Sequence, residues 1–164
     1  MSELVQALIG DSAAAPPDHI LESLSEELVH RCITDAPHSI YQELWHLAFW
    51  QQITLDWIAG VETPRPEHAA LGFPTSSQAE AEPWDGLRLR FLEGAQQAAG
   101  IARETDRLDR IIRCPAGPEK PARVMTVRDQ LESLAAHNAY HLGRIVLLRQ
   151  LLRAWPPPSG GDTW

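Results

Sequence analysis

The sequence predicts an all-α protein, a four-helix bundle. Three observations carry this. Apolar residues recur at spacings of three and four in four separate stretches, the period of a helix with one buried stripe. The alternation of β-branched and polar residues that marks strands is almost absent. Pro- and Gly-rich breaks separate the stretches, so the four stripes have one another to bury against. The length, 164 residues, suits one domain with its own core, read as residues 1–164 with 153–164 as an extended Pro/Gly tail.

Each element has a local reason. A short N-terminal helix is expected before "SAAAPPD" interrupts the chain. "DHILESLSEELVHRCI" then sets Ile20, Leu21, Leu24, Leu28 and Ile33 at helical spacing, with Asp18 as N-cap after Pro17. "DAPH" breaks the chain again, and Ser39 with Gln42 forms a capping box for a second helix running to about residue 59 and stopped by Gly60. The four-proline stretch "VETPRPEHAALGFPTSSQAEAEPWDG" is long for a connection, so it crosses the end of a bundle or covers a site. A third helix is expected over residues 86–112, opened by Asp85 and weakened by Gly94 and Gly100. "CPAGPEKPA" is a second Pro-rich connection. Thr126 then caps a fourth helix over about 127–153, and "WPPPSGGDTW" ends it because consecutive prolines lack amide donors. The linkers allow at least one crossover.

Composition excludes several functions. Hydrophobic residues make up 44% and charged residues 22%, ordinary for a globular chain. No apolar run reaches the ~20 residues that span a bilayer, and "MSELVQALIGD" lacks the basic start of a signal peptide. The net charge is −8 and Lys120 is the single lysine, which argues against a nucleic-acid partner. Arg103, Arg107, Arg110 and Arg113 alternate with Glu104, Asp106 and Asp109, the pattern of a solvated helix face. Cys32 and Cys114 are far apart and form no CxxC; both read as reduced, mostly buried thiols, and the expected location is the cytoplasm.

The chemistry lies in "AHNAYHLGRIVLLRQLL". On the fourth helix Val127, Leu131, Leu134, Asn138, His141, Ile145, Leu148 and Leu152 form the core stripe, with His137 on its flank one turn before His141. Imidazoles four apart on a helix can share one divalent ion. With seven histidines, chance alone gives roughly 0.3 such pairs, so the pair is weak by itself and a core histidine bonded to a carbonyl is its other reading. His46 strengthens it. It lies in "SIYQELWHLAFWQQITLDWIAG" among apolar residues, where an unpartnered imidazole is costly, and a bundle can aim two helices at one interior point. His46, His137 and His141 would leave a fourth position open. His19, His30, His38 and His68 read as surface or locally bonded. "HNAYH" differs from the zincin HExxH in having Asn138 at the general-base position, and GxSxG, P-loop and GxGxxG patterns are missing.

Three stretches resemble the DinB-like superfamily of metalloenzymes: "PHSIYQELWHLAFWQ", "HNAYHLGRIVLLRQLL" and the tail "AWPPPSGGDTW", with the loop ending "EAEPWDG" similar to one bacterial branch. The resemblance implies a bundle in up-down-down-up order, often a homodimer, with metal ligands at His46, His137 and His141. It implies a divalent transition metal (zinc, nickel, iron or manganese) and, in some relatives, a low-molecular-weight thiol cofactor for transferase or isomerase chemistry. Two positions depart from it: Arg144 where many relatives have Gln, and Ala136 where branch members often carry an aspartate, so no carboxylate is supplied there for His137.

Three neutral imidazoles leave an ion its full charge, which acidifies a water or thiol it binds. Glu43, one turn before His46, is a candidate base or imidazole partner. Arg144 is a candidate for pairing with a substrate carboxylate or thiolate; solvent, Glu43 and Asp56 are its other partners. Trp45, Trp50, Trp57 and Tyr140 either line a pocket or pack the core. The sequence therefore predicts a metal-dependent enzyme, thiol transferase or hydrolase, on a small molecule; the alternative is a non-catalytic metal- or ligand-binding module that dimerises.

Overall fold

Hydroxyl side chains start five of the helices, each accepting a bond from a backbone amide of the first turn: Ser2, Ser25, Ser39, Thr75 and Thr126. At Ser39, Thr75 and Thr126 the bond is reciprocated by Gln42, Gln78 and Asp129 in full capping boxes. In the computed structural model, which describes residues 1–10, 14–118 and 120–160, the order is α1 Glu3–Ile9, α2 Pro17–Ile20, α3 Glu26–Val29, α4 Ile40–Ala59, α5 Ser76–Ala81, α6 Trp84–Arg103, β1 Ile111–Cys114, β2 Arg123–Thr126 and α7 Val127–Leu151. The protein is mostly helical, with one small antiparallel hairpin that pairs Ile111 with Thr126 and Cys114 with Arg123. No helix among these residues is long and apolar enough to cross a membrane.

The core lies between α4, α6 and α7. α4 packs on both other long helices, while α1 packs on α6 and α7. The predicted stripe of α7 is buried at Val127, Leu131, Leu134, Asn138, His141, Ile145 and Leu148, with Leu152 half-buried just past its end. Beyond α7, Arg149 holds the tail: its Nε donates to the carbonyl of Ala154, its guanidinium sits 5.4 Å from the Trp155 ring, and Nη1 donates to the carbonyl of Ile20. The last four residues of the predicted tail, 161–164, lie outside the described residues, as do Ser12 and Ala13 of the expected N-terminal break.

The structure corrects three expectations. Residues 18–33 are not one long helix. They form the single turns α2 and α3, separated at Ser23, whose φ of 53° is left-handed. Ile20, Leu21, Leu24 and Val29 are still buried, so the spacing reported burial rather than a continuous helix. The third helix ends at Arg103 rather than residue 112. A short turn follows at Thr105–Arg107, then β1, in which Ile112 and Cys114 point inward and Ile111 and Arg113 outward. The arginine-rich stretch is thus a turn and strand, with Arg107 paired to Glu104 at 2.6 Å. The long connection after α4 holds a 3-10 turn at Ala69–Gly72 and the short α5. Finally, Cys32 is exposed rather than buried, while Cys114 is buried as expected.

Two glycines of α6 make opposite predictions. A Cβ at Gly94 would stand 2.2 Å from Nε2 of Gln51, a buried side chain that donates to the carbonyl of Phe91 at 2.9 Å. Gly100 has nothing within 4 Å of its Cβ position. Gly94→Ala should therefore destabilise by about 1–3 kcal/mol through overpacking and a displaced buried amide. Gly100→Ala should stabilise by about 0.5–1 kcal/mol through helix propensity. Chemical denaturation of the two variants checks the pair, and equal signs would contradict this packing.

Candidate metal centre

The capping box at Ser39 fixes where α4 begins, and so where Glu43 and His46 face. Three residues apart, they share the side that meets α7. On α7, His137, His141 and Arg144 follow at steps of four and three and form the matching side. Packing the two helices gathers His46, His137 and His141 with one ligand atom each inside 4.8 Å of one another. Ring centroids are 5.1 Å apart for His46 and His137, 4.5 Å for His46 and His141, and 4.6 Å for His137 and His141.

Hydrogen bonds settle two of the tautomers. Nδ1 of His46 lies 2.8 Å from the carbonyl oxygen of Gly72, which only accepts, so Nδ1 carries the proton. Nδ1 of His141 lies 2.6 Å from Oε2 of Glu43 and donates to it. In both neutral rings the lone pair is therefore on Nε2. Nε2 of His46 is 3.2 Å from Nε2 of His137. Nδ1 of His137 is buried without a partner, in keeping with Ala136 offering no carboxylate. Inward lone pairs with outward N–H groups held by a carbonyl and a carboxylate is the arrangement of metal-ligating histidines. The donor set thus fits a divalent transition ion.

The surroundings disfavour the charged forms of His46 and His137. Burial lowers the pKa of His46 against the opposing effect of its Gly72 bond. Burial, then the neighbouring charges of His141 and His46, pushes His137 down to about 4. Glu43 is fully buried, which alone would raise its carboxyl; the His141 hydrogen bond and the Arg144 guanidinium, 2.9 Å from Oε1, outweigh this and hold it below its usual value. These shifts have a sign. An imidazole with a folded pKa near 4 against 6.5 unfolded is protonated first in the unfolded chain, so stability falls as pH drops from 6.5 towards 4. Metal-free protein should melt at a lower temperature at pH 4.5 than at pH 7, measured by circular dichroism.

The loop after α4 covers the cluster. Gly72 approaches so closely that a Cβ there would meet Nε1 of Trp50 at 3.0 Å and Nδ1 of His46 at 3.2 Å. Phe73 stacks on His46 at 4.3 Å, and His38 stacks on Phe73 at 3.8 Å. His38, half-buried and within electrostatic reach of Glu43, belongs to this layer, although its place before a helix cap suggested a surface or locally bonded role. His30 pairs with Glu26 and His19 contacts Ser159. Arg144 is committed to Glu43 and Tyr140 rather than facing a ligand alone. Asn138 is buried against Gln51. Of the aromatics, Trp45 is core, Tyr140 is exposed, and Trp50 and Trp57 face a cavity.

That cavity, about 380 Å³, has His46 and His137 in its wall. A larger groove of about 610 Å³ between α1 and α7 contains no histidine.

A family model described as the DinB superfamily matches residues 17–145, a span that takes in Glu43, Arg144 and all three clustered histidines. No curated protein matches the chain.

Proposed function

Because this chain belongs to the DinB superfamily, we propose that His46, His137 and His141 hold one divalent transition metal ion, zinc, nickel, iron or manganese, and that the protein is a metal-dependent enzyme acting on a small molecule. The carrying observation is the direction of the Nε2 lone pairs, set by Gly72 and Glu43. When bound, such an ion supplies Lewis acidity to a water or thiol. The chain's own residues do the rest. Gly72 and Glu43 hold the outer protons of His46 and His141, Arg144 keeps Glu43 ionised, and the Gly72–Phe73 segment keeps water off His46.

The cavity beside His46 and His137 supports an enzyme, since it gives a small molecule a path to the cluster. Thiol transferase chemistry is the better fit than hydrolysis: Glu43, with both oxygens committed, is a positioning residue rather than a free base. A low-molecular-weight thiol is then a natural co-substrate. The exposed Tyr140, Leu147 and Leu151 along α7 support a homodimer, and with it the second reading, a dimerising binding module without catalysis. Unpaired thiols fit a cytoplasmic location.

The core supports the up-down-down-up bundle order. Residues of the first halves of α4 and α6 share one apolar cluster with the C-terminal half of α7; their second halves share the other with its N-terminal half. α1 joins the second cluster and residues 15–29 the first, so this broken segment fills the corner of the fourth helix, running alongside α7.

Elemental analysis of protein never exposed to chelator tests the reading. About one equivalent of a transition metal per chain is expected; under about a tenth of an equivalent would overturn it.

A further inference from the structure

The cavity beside the histidines carries an unusual charge. Arg65, from the loop after α4, and Lys120 and Arg123, from the hairpin, converge on it, and no aspartate or glutamate among the described residues lines it. This occurs in a chain with 22 acidic and 14 basic residues, whose single lysine is one of the three. None of the three is ion-paired among the described residues. Glu67 borders the neighbouring cleft with Arg65 and Lys120 and pairs with neither.

Arg65 is held in place. Its guanidinium lies 4.6 Å from the centre of the Trp57 ring, and its Nε donates to the carbonyl of Pro115 at 3.0 Å. Among the described residues neither terminal nitrogen has a bonding partner, so both can meet a ligand in the fork that matches a carboxylate or phosphate. Arg65 is partly buried, and Arg123 lies close enough to oppose its charge. Lys120 and Arg123 stand at the exposed rim beside it, and an anion that joins the three offsets their mutual repulsion.

We propose that Arg65, Lys120 and Arg123 form the receptor for an oxyanion group, carboxylate or phosphate, of the small molecule that enters the cavity beside His46 and His137. The cations grip one end of the ligand, Trp50 and Trp57 flank its body, and the other end faces the histidines. This names the substrate class of the proposed metal site and rests on that reading only for what the second end meets. Arg144, on the other side of the cluster and tied to Glu43, is not part of the receptor.

Calorimetric titration of the full chain tests this, with metal content measured on the same preparation. The probes are phenyl phosphate, phenylacetate and, as the neutral control, 2-phenylethanol. Both anions should bind at least tenfold more tightly than the alcohol, in metal-loaded and metal-free protein alike. Lys120→Gln with Arg123→Gln, both at exposed positions, should erase that preference while leaving metal content and melting temperature unchanged. Arg65→Gln should do the same, its fold checked by circular dichroism. Equal affinity for anions and alcohol, or anion preference surviving in the double variant, would overturn the receptor. An anion preference that vanishes only when metal is removed would overturn it too, since the ion itself would then be the receptor. Anion preference in a protein that never holds metal would keep the receptor and remove the metal reading instead.

Discussion

Removing the metal should lower the melting temperature of the wild-type protein by roughly 5–15 °C, and His141→Ala should abolish both metal binding and that difference. The magnitude follows from linkage. An ion that binds the folded chain and not the unfolded one stabilises by about 3–4 kcal/mol at one hundred to one thousand times its Kd. For a chain of this size each kcal/mol is worth about 2–4 °C. The coupling is strong because the ligands come from two helices. His46 is on α4, His137 and His141 are on α7, and only the folded packing brings their ligand atoms inside 4.8 Å. That packing also sets the Nε2 atoms of His46 and His137 3.2 Å apart, where one ion can engage both. His141→Ala also deletes a buried ring, so the comparison that isolates metal is the shift between loaded and stripped protein within each variant. Calorimetry on both, with metal content measured before each scan, decides it. No change on stripping the wild type, or stoichiometric metal in His141→Ala, would remove the site.

The parts of this site that could be read in the sequence are those set by local rules. The capping box at Ser39 and the one at Thr126 announce the starts of α4 and α7, and the spacing on α7 marks its buried face residue by residue. With both starts fixed, the facing sides carrying His46, His137 and His141 follow. What the sequence hid is set by distance. The carbonyl of Gly72 reaches His46 from 26 residues away, and carbonyls leave no trace in residue type. Lys120 and Arg123 share a cavity with Arg65 because β1 and β2 pair, and those strands are four residues each. One inward pair, Ile112 and Cys114, is too short an alternation to separate from a helix end. Residues 18–33 failed for the opposite reason. Their apolar residues are buried at helical spacing, yet left-handed Ser23 and the new cap at Ser25 divide them into two turns. Periodicity locates the buried side; it does not require an unbroken backbone.

Glu43→Gln should weaken metal binding by about 10–100-fold while changing the stability of the metal-free protein by no more than about 2 kcal/mol. Glu43 is fully buried between two donors, with Nδ1 of His141 on Oε2 and the Arg144 guanidinium on Oε1. The amide replaces one acceptor oxygen with a donor nitrogen, so either His141 or Arg144 faces a donor. If it is His141, its ring no longer has a fixed outer proton, and the inward lone pair is available only part of the time. The stability cost stays small because burial works against the carboxylate, and the neutral amide escapes that penalty. Arg144, about a third exposed at its side chain, can turn to water. Arg144→Gln leaves the Glu43–His141 bond in place, so it should weaken metal binding by only a few-fold. Competition with a chromophoric chelator ranks the four proteins, and the expected order of affinity is wild type, Arg144→Gln, Glu43→Gln, His141→Ala. A merely structural carboxylate would show the reverse division: a large loss of stability in Glu43→Gln with metal affinity within about twofold of the wild type. That result would detach Glu43 from the metal site and leave the orientation of His141 to packing alone.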